Sequence, residues 1–275
     1  MNYKLIAIDM DGTLLNNEEK ISKRNKEALH RAIEAGIHVV LSTGRLLRSA
    51  LYYSKSIDLG NPVVACNGAV VSCGDEDKLL YEKTLRTESV EKLIQLAEEN
   101  NIYYHFYDKN TFYSRKLDEK ITKHHESYRD NLKKQQINLK LLEDPLKILR
   151  EEKPKIYKFV FIEDDKNKLL HFREALKSIE GINISSSWHN NVEVMNKGVS
   201  KGEGLKQLCK KLSIDSSQVV AIGDNENDIS MFQVAGLAVA MENGEDIVKE
   251  YSHVITDTND QDGVAKAIEK YVLNL

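Results

Sequence analysis

Apolar and polar positions alternate along the chain in two periods, one typical of buried strands and the other of amphipathic helices. Leu5-Ile6-Ala7-Ile8 is a short apolar run with a glycine soon after it, which predicts a strand buried in a parallel sheet. An apolar stripe at helical spacing then predicts a helix from about Ser22 to Ala35, with Ser22 as its N-cap and Gly36 at its end. Strand and helix thus follow one another from the start of the chain.

The same alternation continues and indicates the fold class. Strands are predicted near residues 37–41 and 62–66, with a helix near 46–57 between them. Three further buried strands are predicted toward the C-terminus, near 219–222, 237–240 and 253–255, with helices between them and a last helix from about Asp260. This order predicts an α/β fold with a doubly wound, parallel, Rossmann-like core sheet.

The middle of the chain has a different pattern. Strands are predicted at 102–107 and 111–114, then near 156–162, 182–187 and 191–195, with a helix near 166–179. Residues 115–155, including the histidines at 124 and 125, are strongly charged and predict solvated helices. We therefore expect a discontinuous core of residues 1–82 and 188–275, and an inserted α+β cap of residues 83–187.

Length, composition and charge narrow the range of functions. At 275 residues the chain is long enough for about two domains, and its 30% charged and 41% apolar residues are typical of a globular protein. A net charge of −4 gives no general attraction to nucleic acid, and no apolar run approaches the roughly 18 residues that span a membrane. Three cysteines without paired spacing and an N-terminus unlike a signal peptide predict a cytoplasmic protein. The oligomeric state cannot be read from the sequence.

Two carboxylates follow the first strand, in the segment Asp9-Met10-Asp11-Gly12-Thr13. The carboxyl ends of parallel strands are where α/β sheets bind ligands, and two adjacent buried acids are costly without a cation between them. A metal ion is one explanation, with one carboxylate left free to attack an electrophile. An ordinary Asp-Gly turn is the alternative, whereas a calcium loop is excluded because Gly12 is fourth rather than sixth and Lys20 stands where the final acid is required.

Two segments could bind an anion. Thr43-Gly44-Arg45 follows the second strand and combines a hydroxyl, a glycine amide and a guanidinium, although strand-to-helix turns of this composition are also common without a ligand. Ser200 and Glu203 have capping-box spacing, so a helix is predicted to begin at Lys201. A lysine opposes the helix dipole there, which indicates a bound anion or, alternatively, a side chain pointing into water.

A second strand that ends in acids comes late in the chain. Asp224 follows the strand at 219–222, and Asp228 lies one helical turn further on. These acids could simply cap a helix, but in a parallel sheet they would lie along the same edge as Asp9 and Asp11. Carboxylates, a lysine and a hydroxyl at one edge suit Mg²⁺ together with a phosphate, and hence phosphoryl transfer.

The four segments, in this order, resemble the haloacid dehalogenase superfamily and in particular its Cof-type (class IIB) phosphatases, which carry a large α+β cap. Asn67-Gly68-Ala69 and the segment at 259–264 extend the resemblance, whereas Glu242 stands where the family usually has glycine. The resemblance implies a Mg²⁺-dependent phosphatase of small phosphomonoesters, such as sugar phosphates or phosphorylated cofactors, that forms an aspartyl-phosphate. A phosphomutase with the same intermediate, or a receiver-like phosphorylation-dependent binding module, are the alternatives.

The resemblance also implies roles for individual residues. Asp9 would be the nucleophile, and Asp11 the acid and then the base, for which burial or the charge of Asp9 would have to raise its pKa. The metal ligands would be Asp9, the main-chain carbonyl of Asp11, Asp224 and, through water, Asp228. The phosphate contacts would be the Met10 amide, Thr43, Gly44, Lys201 and Asn227, with Arg45 and Asn67 as possible substrate contacts. Five residues in the cap or directly after it could face the substrate, namely Tyr103, His105, Tyr113, Trp188 and His189.

Overall fold

The computed structural model describes residues 3–60, 62–116 and 133–275, and these form two β-sheets with helices around them. The strands, in chain order, are β1 Leu5–Ile8, β2 His38–Ser42, β3 Val63–Ala65, β4 Val70–Ser72, β5 Leu79–Glu82, β6 Tyr103–Tyr107, β7 Thr111–Ser114, β8 Asn138–Leu141, β9 Lys158–Ile162, β10 Ile182–Ser185, β11 Asn191–Asn196, β12 Val219–Gly223, β13 Leu237–Met241 and β14 Val254–Thr256. The α-helices are α1 Lys23–Glu34, α2 Leu47–Ser56, α3 Thr87–Glu99, α4 Pro145–Glu151, α5 Lys166–Leu176, α6 Lys201–Leu212, α7 Ile229–Phe232, α8 Asp246–Glu250 and α9 Gly263–Ala267.

The first sheet has eight strands in the order β14-β13-β12-β1-β2-β3-β4-β5. The strands from β14 to β3 run parallel, and apolar side chains pack helices α1, α2 and α9 on one face and α6 and α7 on the other. The predicted doubly wound α/β core is therefore confirmed. Strands β4 and β5 extend it in antiparallel fashion and were not predicted, because each is a short run beside a polar turn.

The register of the first sheet brings three loops together. Ile8 of β1 lies beside Leu41 of β2 on one side and beside Ile222 of β12 on the other. The residues that follow these three strands therefore emerge side by side at one edge. This edge carries all four of the segments singled out in the sequence, because α6 also begins there and packs against β3 and β4.

The second sheet has six strands in the order β10-β11-β9-β6-β7-β8. It includes β11, so the inserted part extends beyond residue 187, where we expected it to end. The reason is that β10 and β11 form an antiparallel hairpin, with Ile182 opposite Asn196, and the chain returns to the first sheet only at α6. In the charged segment 115–155, residues 138–141 form a strand rather than the predicted helix, and the histidines at 124 and 125 lie outside the described residues.

The two sheets pack against one another over the edge of the first. One face of the second sheet is covered by α3, α4 and α5, through side chains such as Leu93, Leu149 and Phe172. From the other face Val160 and Met195 join the apolar cluster of the first sheet. Among the described residues, no helix is both long and apolar enough to cross a lipid bilayer.

Candidate active site

Three buried carboxylates meet at the edge of the first sheet. Asp9 follows β1, Asp224 follows β12, and Asp228 lies in a short 3₁₀ turn just beyond it. One oxygen of each lies within 4.8 Å of the others, and none of the three residues is more than 5% exposed. The expectation that acids from distant parts of the chain meet here is therefore correct.

Lys201 lies between two of these acids. It is the first residue of α6, whose N-cap Ser200 accepts a hydrogen bond from the Glu203 amide. Its Nζ donates to Asp9 Oδ1 at 2.5 Å and to Asp228 Oδ1 at 2.6 Å. Burial lowers the pKa of Lys201, but the two carboxylates outweigh burial and raise it above its usual range. Lys201 is thus a fixed, buried cation beside Asp9.

One lysine does not neutralise three acids, and the pKa values of Asp9 and Asp224 reflect this. Burial raises the pKa of Asp9 to about 7, although Lys201 opposes the rise. Burial and the charges of Asp9 and Asp228 also raise the pKa of Asp224 well above its usual value. A divalent cation among these oxygens would allow the acids to ionise together. The donors are hard carboxylate oxygens, the ligands that Mg²⁺ prefers, so the residues present fit this ion.

Gly12 and Thr13 hold Asp224 in place. Gly12 has a φ of +79°, and an added Cβ there would overlap the Asp224 carboxylate, so this position requires glycine on both counts. The Thr13 hydroxyl donates to Asp224 Oδ1 at 2.6 Å. The sequence analysis included both residues in the first motif but assigned no role to Thr13. The feature that could have indicated its role is its hydroxyl, a hydrogen-bond donor two residues after Asp11.

Asp228 is engaged on both oxygens. Besides accepting from Lys201, it accepts through Oδ2 from the main-chain amides of Asp224 and Asn225, at 2.9 and 3.0 Å. It therefore fixes the loop that carries Asp224.

Asp11 is not one of the three clustered acids and instead pairs with Arg45. The guanidinium donates to Asp11 through Nε at 2.8 Å and through Nη2 at 2.5 Å. Burial raises the pKa of Asp11, but the charge and hydrogen bonds of Arg45 outweigh it and hold the pKa below its usual value. The expectation that its surroundings raise the pKa of Asp11 is therefore wrong for this arrangement, because sequence reasoning gave Arg45 to the substrate.

The second motif, Thr43-Gly44-Arg45, lies beside the first, since Arg45 pairs with Asp11. Thr43 is fully buried, its hydroxyl accepts from the Arg45 amide at 3.1 Å, and its carbonyl accepts from the Asn67 amide at 3.0 Å. A Cβ added to Gly44 would lie 2.9 Å from Asn67 Oδ1 and 3.1 Å from Lys158 Nζ. The Thr43–Gly44 turn thus lies directly beneath a polar group of the second sheet. Met10, between the two acids of the first motif, is fully buried.

That polar group is a buried ion pair which the sequence did not indicate. Lys158 on β9 donates to Glu193 Oε1 on β11 at 2.6 Å, and their side chains are only 4% and 3% exposed. Ser187 donates to the same oxygen, and Asn67 of the first sheet donates to Glu193 Oε2 at 2.6 Å. Asn67 in turn accepts from Asn227 Nδ2 at 3.2 Å. One hydrogen-bond network therefore links both sheets above the site.

The residues predicted to face the substrate do not lie together on one surface. Trp188 is 57% exposed, and His189 is exposed beside it. Tyr113 stacks on Phe106, on the face that packs against helices, whereas His105 is buried and its Nε2 lies 2.8 Å from the Tyr107 hydroxyl. Glu242 is exposed and does not have a positive φ, so the position does not require the usual glycine.

A model of the haloacid dehalogenase-like hydrolases matches residues 6–268, nearly the whole chain. The chain belongs to this family of hydrolases. It is 35% identical over 276 residues to a 5-amino-6-(5-phospho-D-ribitylamino)uracil phosphatase of Bacillus subtilis, over 99% of this chain and 97% of the relative. It is 28% identical over 274 residues to a pyridoxal phosphate phosphatase of Escherichia coli, over 99% and 100%.

The fold of this hydrolase is also found in solved structures. A haloacid dehalogenase-like hydrolase from B. subtilis superposes with a TM-score of 0.89, at 28% identity, over 98% of this chain and 99% of that one. The family and the fold predicted from the four motifs are thereby confirmed.

Proposed function

We propose that this hydrolase is a Mg²⁺-dependent phosphatase of small phosphomonoesters that works through an aspartyl-phosphate on Asp9. The observation that carries the proposal is the meeting of Asp9, Asp224 and Asp228 with a fully buried lysine. Two relatives at full length are named phosphatases, one of a phosphoribityl compound and one of pyridoxal phosphate, which supports a small phosphorylated substrate.

Mg²⁺ would be held by Asp9, the carbonyl of Asp11 and Asp224, with Asp228 in support. When bound it would neutralise phosphate and carboxylate charge so that the two anions can approach. Lys201 contributes a second fixed positive charge, because its neighbours keep it protonated. The amides of Met10 and Gly44, with the Thr43 hydroxyl and Asn227, are the proposed contacts to the phosphate oxygens.

In the first step a carboxylate oxygen of Asp9 attacks phosphorus, and the bond from phosphorus to the ester oxygen breaks. Asp11 gives its proton to the departing oxygen, which releases an alcohol and leaves the phosphoryl group on Asp9. In the second step Asp11 takes a proton from water as the water oxygen attacks phosphorus. Phosphate leaves, and the Asp9 carboxylate is restored.

Asp11 cannot donate a proton while it pairs with Arg45, because this pairing favours the ionised carboxylate. We therefore assign the arrangement described here to a resting state, in which Arg45 holds Asp11. The catalytic state requires the two side chains to separate.

The second sheet would act as the cap that selects substrates. With β11 included, this cap spans about residues 83–196, and its polar face lies over Gly44. Lys158 and Glu193 are the cap side chains nearest to that loop in the contacts described.

The proposal is tested by Asp9→Asn, which keeps the size of the side chain but removes the nucleophile. We expect hydrolysis of p-nitrophenyl phosphate to fall at least about 1,000-fold, while the circular dichroism spectrum stays that of the wild type. Asp246→Asn is the matched control, because Asp246 is a fully exposed acid outside the candidate site. The activity of this variant should equal that of the wild type. Substantial hydrolysis by Asp9→Asn would refute the assignment of Asp9 as the nucleophile.

Analysis of the products separates the alternatives. Release of inorganic phosphate supports a phosphatase, whereas conversion of a sugar phosphate into its isomer would indicate a mutase. A phosphorylated protein that persists for minutes without turnover would indicate a receiver-like switch.

A further inference from the structure

Asn67 lies in a strained turn that follows β3. Cys66 and Asn67 have φ angles of +50° and +53°, in the left-handed region that residues other than glycine seldom occupy, and Gly68 follows with a φ of +89°. Such backbone persists in native structures where the surrounding contacts hold it, and it is common at functional sites. Asn67 is only 1% exposed. We therefore expect the contacts of its side chain to compensate for this strain.

The turn contacts the second, third and fourth motifs at once. The Asn67 main-chain amide donates to the Thr43 carbonyl at 3.0 Å. Gly68 lies against the third motif, since an added Cβ there would overlap the carbonyl of Ser200. The Asn67 side chain accepts from Asn227 of the fourth motif. Three of the four motifs therefore meet at this turn.

The second sheet sets the direction of the Asn67 amide. Glu193 on β11 can only accept hydrogen bonds, so Asn67 turns its Nδ2 toward Glu193 Oε2, at 2.6 Å, and presents Oδ1 on the other side. Lys158 and Ser187 both donate to the other carboxylate oxygen and hold Glu193 in place. An acceptor on the second sheet thereby determines which end of the Asn67 amide faces the fourth motif.

Asn67 in turn sets the direction of the Asn227 side chain. Asn227 donates through Nδ2 to Asn67 Oδ1 at 3.2 Å, and its own Oδ1 has no hydrogen-bond partner among the described residues. The contact with Asn67 is thus the only one, of those described, that fixes which way this amide points. Nδ2 carries two hydrogens and uses one of them for Asn67, so the second can be given to a phosphate oxygen. An amide turned the other way would repel the phosphate with its oxygen.

The second sheet also holds the turn that carries Asn227. The Asn227 main-chain amide donates to the carbonyl of Ser186, just after β10, at 3.2 Å. The neighbouring Glu226 accepts from Arg173 of α5 at 2.5 Å. Both the backbone and the side chain of Asn227 are therefore connected to the second sheet.

We infer that Asn67 is a positioning residue, through which Glu193 directs the Asn227 amide toward the phosphate oxygens when the second sheet is seated on the first. Its effect concerns the phosphoryl group and not the leaving group, so it should be the same for different esters. The inference rests on the proposed phosphatase activity. It goes beyond that proposal by giving Asn67 a role other than the substrate contact that the resemblance implied.

The first test is Asn67→Gly, which removes the side chain but suits the positive φ, so the fold should be preserved. The measured quantity is the Kd of inorganic phosphate for the Mg²⁺-loaded protein, determined by calorimetry, because phosphate has no leaving group. We expect this Kd to rise about tenfold, and kcat/KM to fall by a similar factor for p-nitrophenyl phosphate and n-hexyl phosphate alike.

Asn101→Gly is the matched control for this test. Asn101 is an exposed asparagine with a φ of +48°, so the substitution changes the same residue type in the same backbone conformation. Its Kd for phosphate should equal that of the wild type. A merely structural role for Asn67 would lower the melting temperature of Asn67→Gly but leave its Kd unchanged at temperatures well below melting.

The second test reverses the polarity of the contact between the sheets. In Glu193→Gln, Lys158 and Ser187 still donate to the side-chain oxygen, so the new amide nitrogen faces Asn67. Asn67 and Asn227 should then both turn over, and the Kd of phosphate should rise at least about tenfold. Adding Asn67→Asp supplies an acceptor both for the new amide and for Asn227, so the double variant should return to within about threefold of the wild type.

Ser187→Asp combined with Glu193→Gln is the control for charge. It returns a carboxylate to the neighbourhood of Lys158 without changing Asn67, so its Kd for phosphate should stay raised. If Asn67 were itself a phosphate contact, the carboxylate introduced by Asn67→Asp would repel the anion, and the double variant would bind phosphate more weakly than Glu193→Gln.

The outcomes separate this inference from the proposed function. If the wild type neither hydrolyses p-nitrophenyl phosphate nor binds phosphate, the phosphatase proposal fails and the inference fails with it. If the wild type does both, an unchanged Kd in Asn67→Gly refutes the inference alone. Failure of Asn67→Asp to rescue Glu193→Gln does the same. If Glu193→Gln does not fold, the result for Asn67→Gly decides.

Discussion

Two opposing influences act on the pKa of Asp11: desolvation, which raises it, and the guanidinium of Arg45, which lowers it. The charge of Arg45 prevails, so in the resting arrangement Asp11 is ionised and cannot protonate a leaving group. The sequence predicted both residues as part of the site, but not that they pair with each other. Their pairing depends on side-chain directions at the ends of β1 and β2, which residue types and spacing do not specify.

Replacing Arg45 by glutamine should change the pH dependence of the enzyme. Since Arg45 lowers the pKa of Asp11, its removal raises that pKa, and Asp11 keeps its proton to higher pH. We expect the alkaline limb of the kcat/KM profile to move to higher pH with an alkyl phosphate, whose leaving group needs an acid. The profile with p-nitrophenyl phosphate should move less, because nitrophenolate leaves without protonation.

Arg48→Gln is the control for this experiment. Arg48 lies three residues further on, pairs with Glu76 and has no contact with Asp11 among those described. The pH profile of kcat/KM for Arg48→Gln should therefore match that of the wild type. An unmoved alkaline limb in Arg45→Gln would show that Asp11 is not the acid.

Among the elements, length alone did not decide which were predicted: the three-residue strand β14 was predicted, whereas the 13-residue helix α3 was not. Helix α1 was predicted with its Ser22 cap, which accepts from the Asn25 amide. Strand β11 was expected in the core, but it pairs in the second sheet because its hairpin with β10 is formed by contacts that a single strand pattern does not reveal. Strand β8, at the edge of the second sheet, lies in a segment predicted as helical, since the many charged residues around these four hide the pattern of a short strand.

Helix α6 depends on a glycine for its position. Gly202, next to Lys201, packs so closely on α7 that an added Cβ would overlap the carbonyl of Ser230. Gly202→Ala should therefore lower the free energy of unfolding by about 1–3 kcal/mol, despite the higher helix propensity of alanine, and lower kcat by displacing Lys201. Chemical denaturation and steady-state kinetics measure the two effects.

The control for Gly202→Ala is Lys210→Ala, an exposed position on the same helix. There the free energy of unfolding should change by no more than about 0.5 kcal/mol. A Gly202→Ala variant as stable and as active as the wild type would show that the contact between α6 and α7 does not position the lysine.

Across the whole molecule, the two sheets pack together at the edge where Asp9 lies, and Asp9 is only 5% exposed. We expect substrate to reach Asp9 when the two sheets separate at the Glu193–Asn67 contact that joins them. The general position of the insertion was predictable from the change in pattern along the chain. The network that joins the sheets was not, because Lys158 and Glu193 lie 35 residues apart and neither belongs to a motif.

Metal binding should link the stability of the whole molecule to pH. The pKa of Asp9 is raised to about 7 and that of Asp224 is also raised, so the folded state without metal binds more protons than the unfolded state. Its stability should therefore fall as the pH rises from about 4 toward 7. Mg²⁺ competes with these protons, so it should raise the melting temperature more at about pH 8 than at about pH 5.5.

At a concentration of about 100 times its Kd, Mg²⁺ should stabilise the protein by about 2–3 kcal/mol. Asp224→Asn, which removes a ligand, should abolish most of this effect. A rise in melting temperature that is equal at both pH values, or that survives in Asp224→Asn, would place the metal elsewhere.

The most direct test of the central claim is to trap the phosphoryl group on the protein. The enzyme is mixed with substrate and Mg²⁺, quenched within milliseconds, reduced with borohydride and digested with trypsin. Fragmentation of the peptide spanning residues 5–20, which contains both Asp9 and Asp11, then locates the reduced residue. We predict homoserine at Asp9, and none when EDTA is present. Release of phosphate with no reduction at Asp9, or reduction at a different residue, would contradict the account.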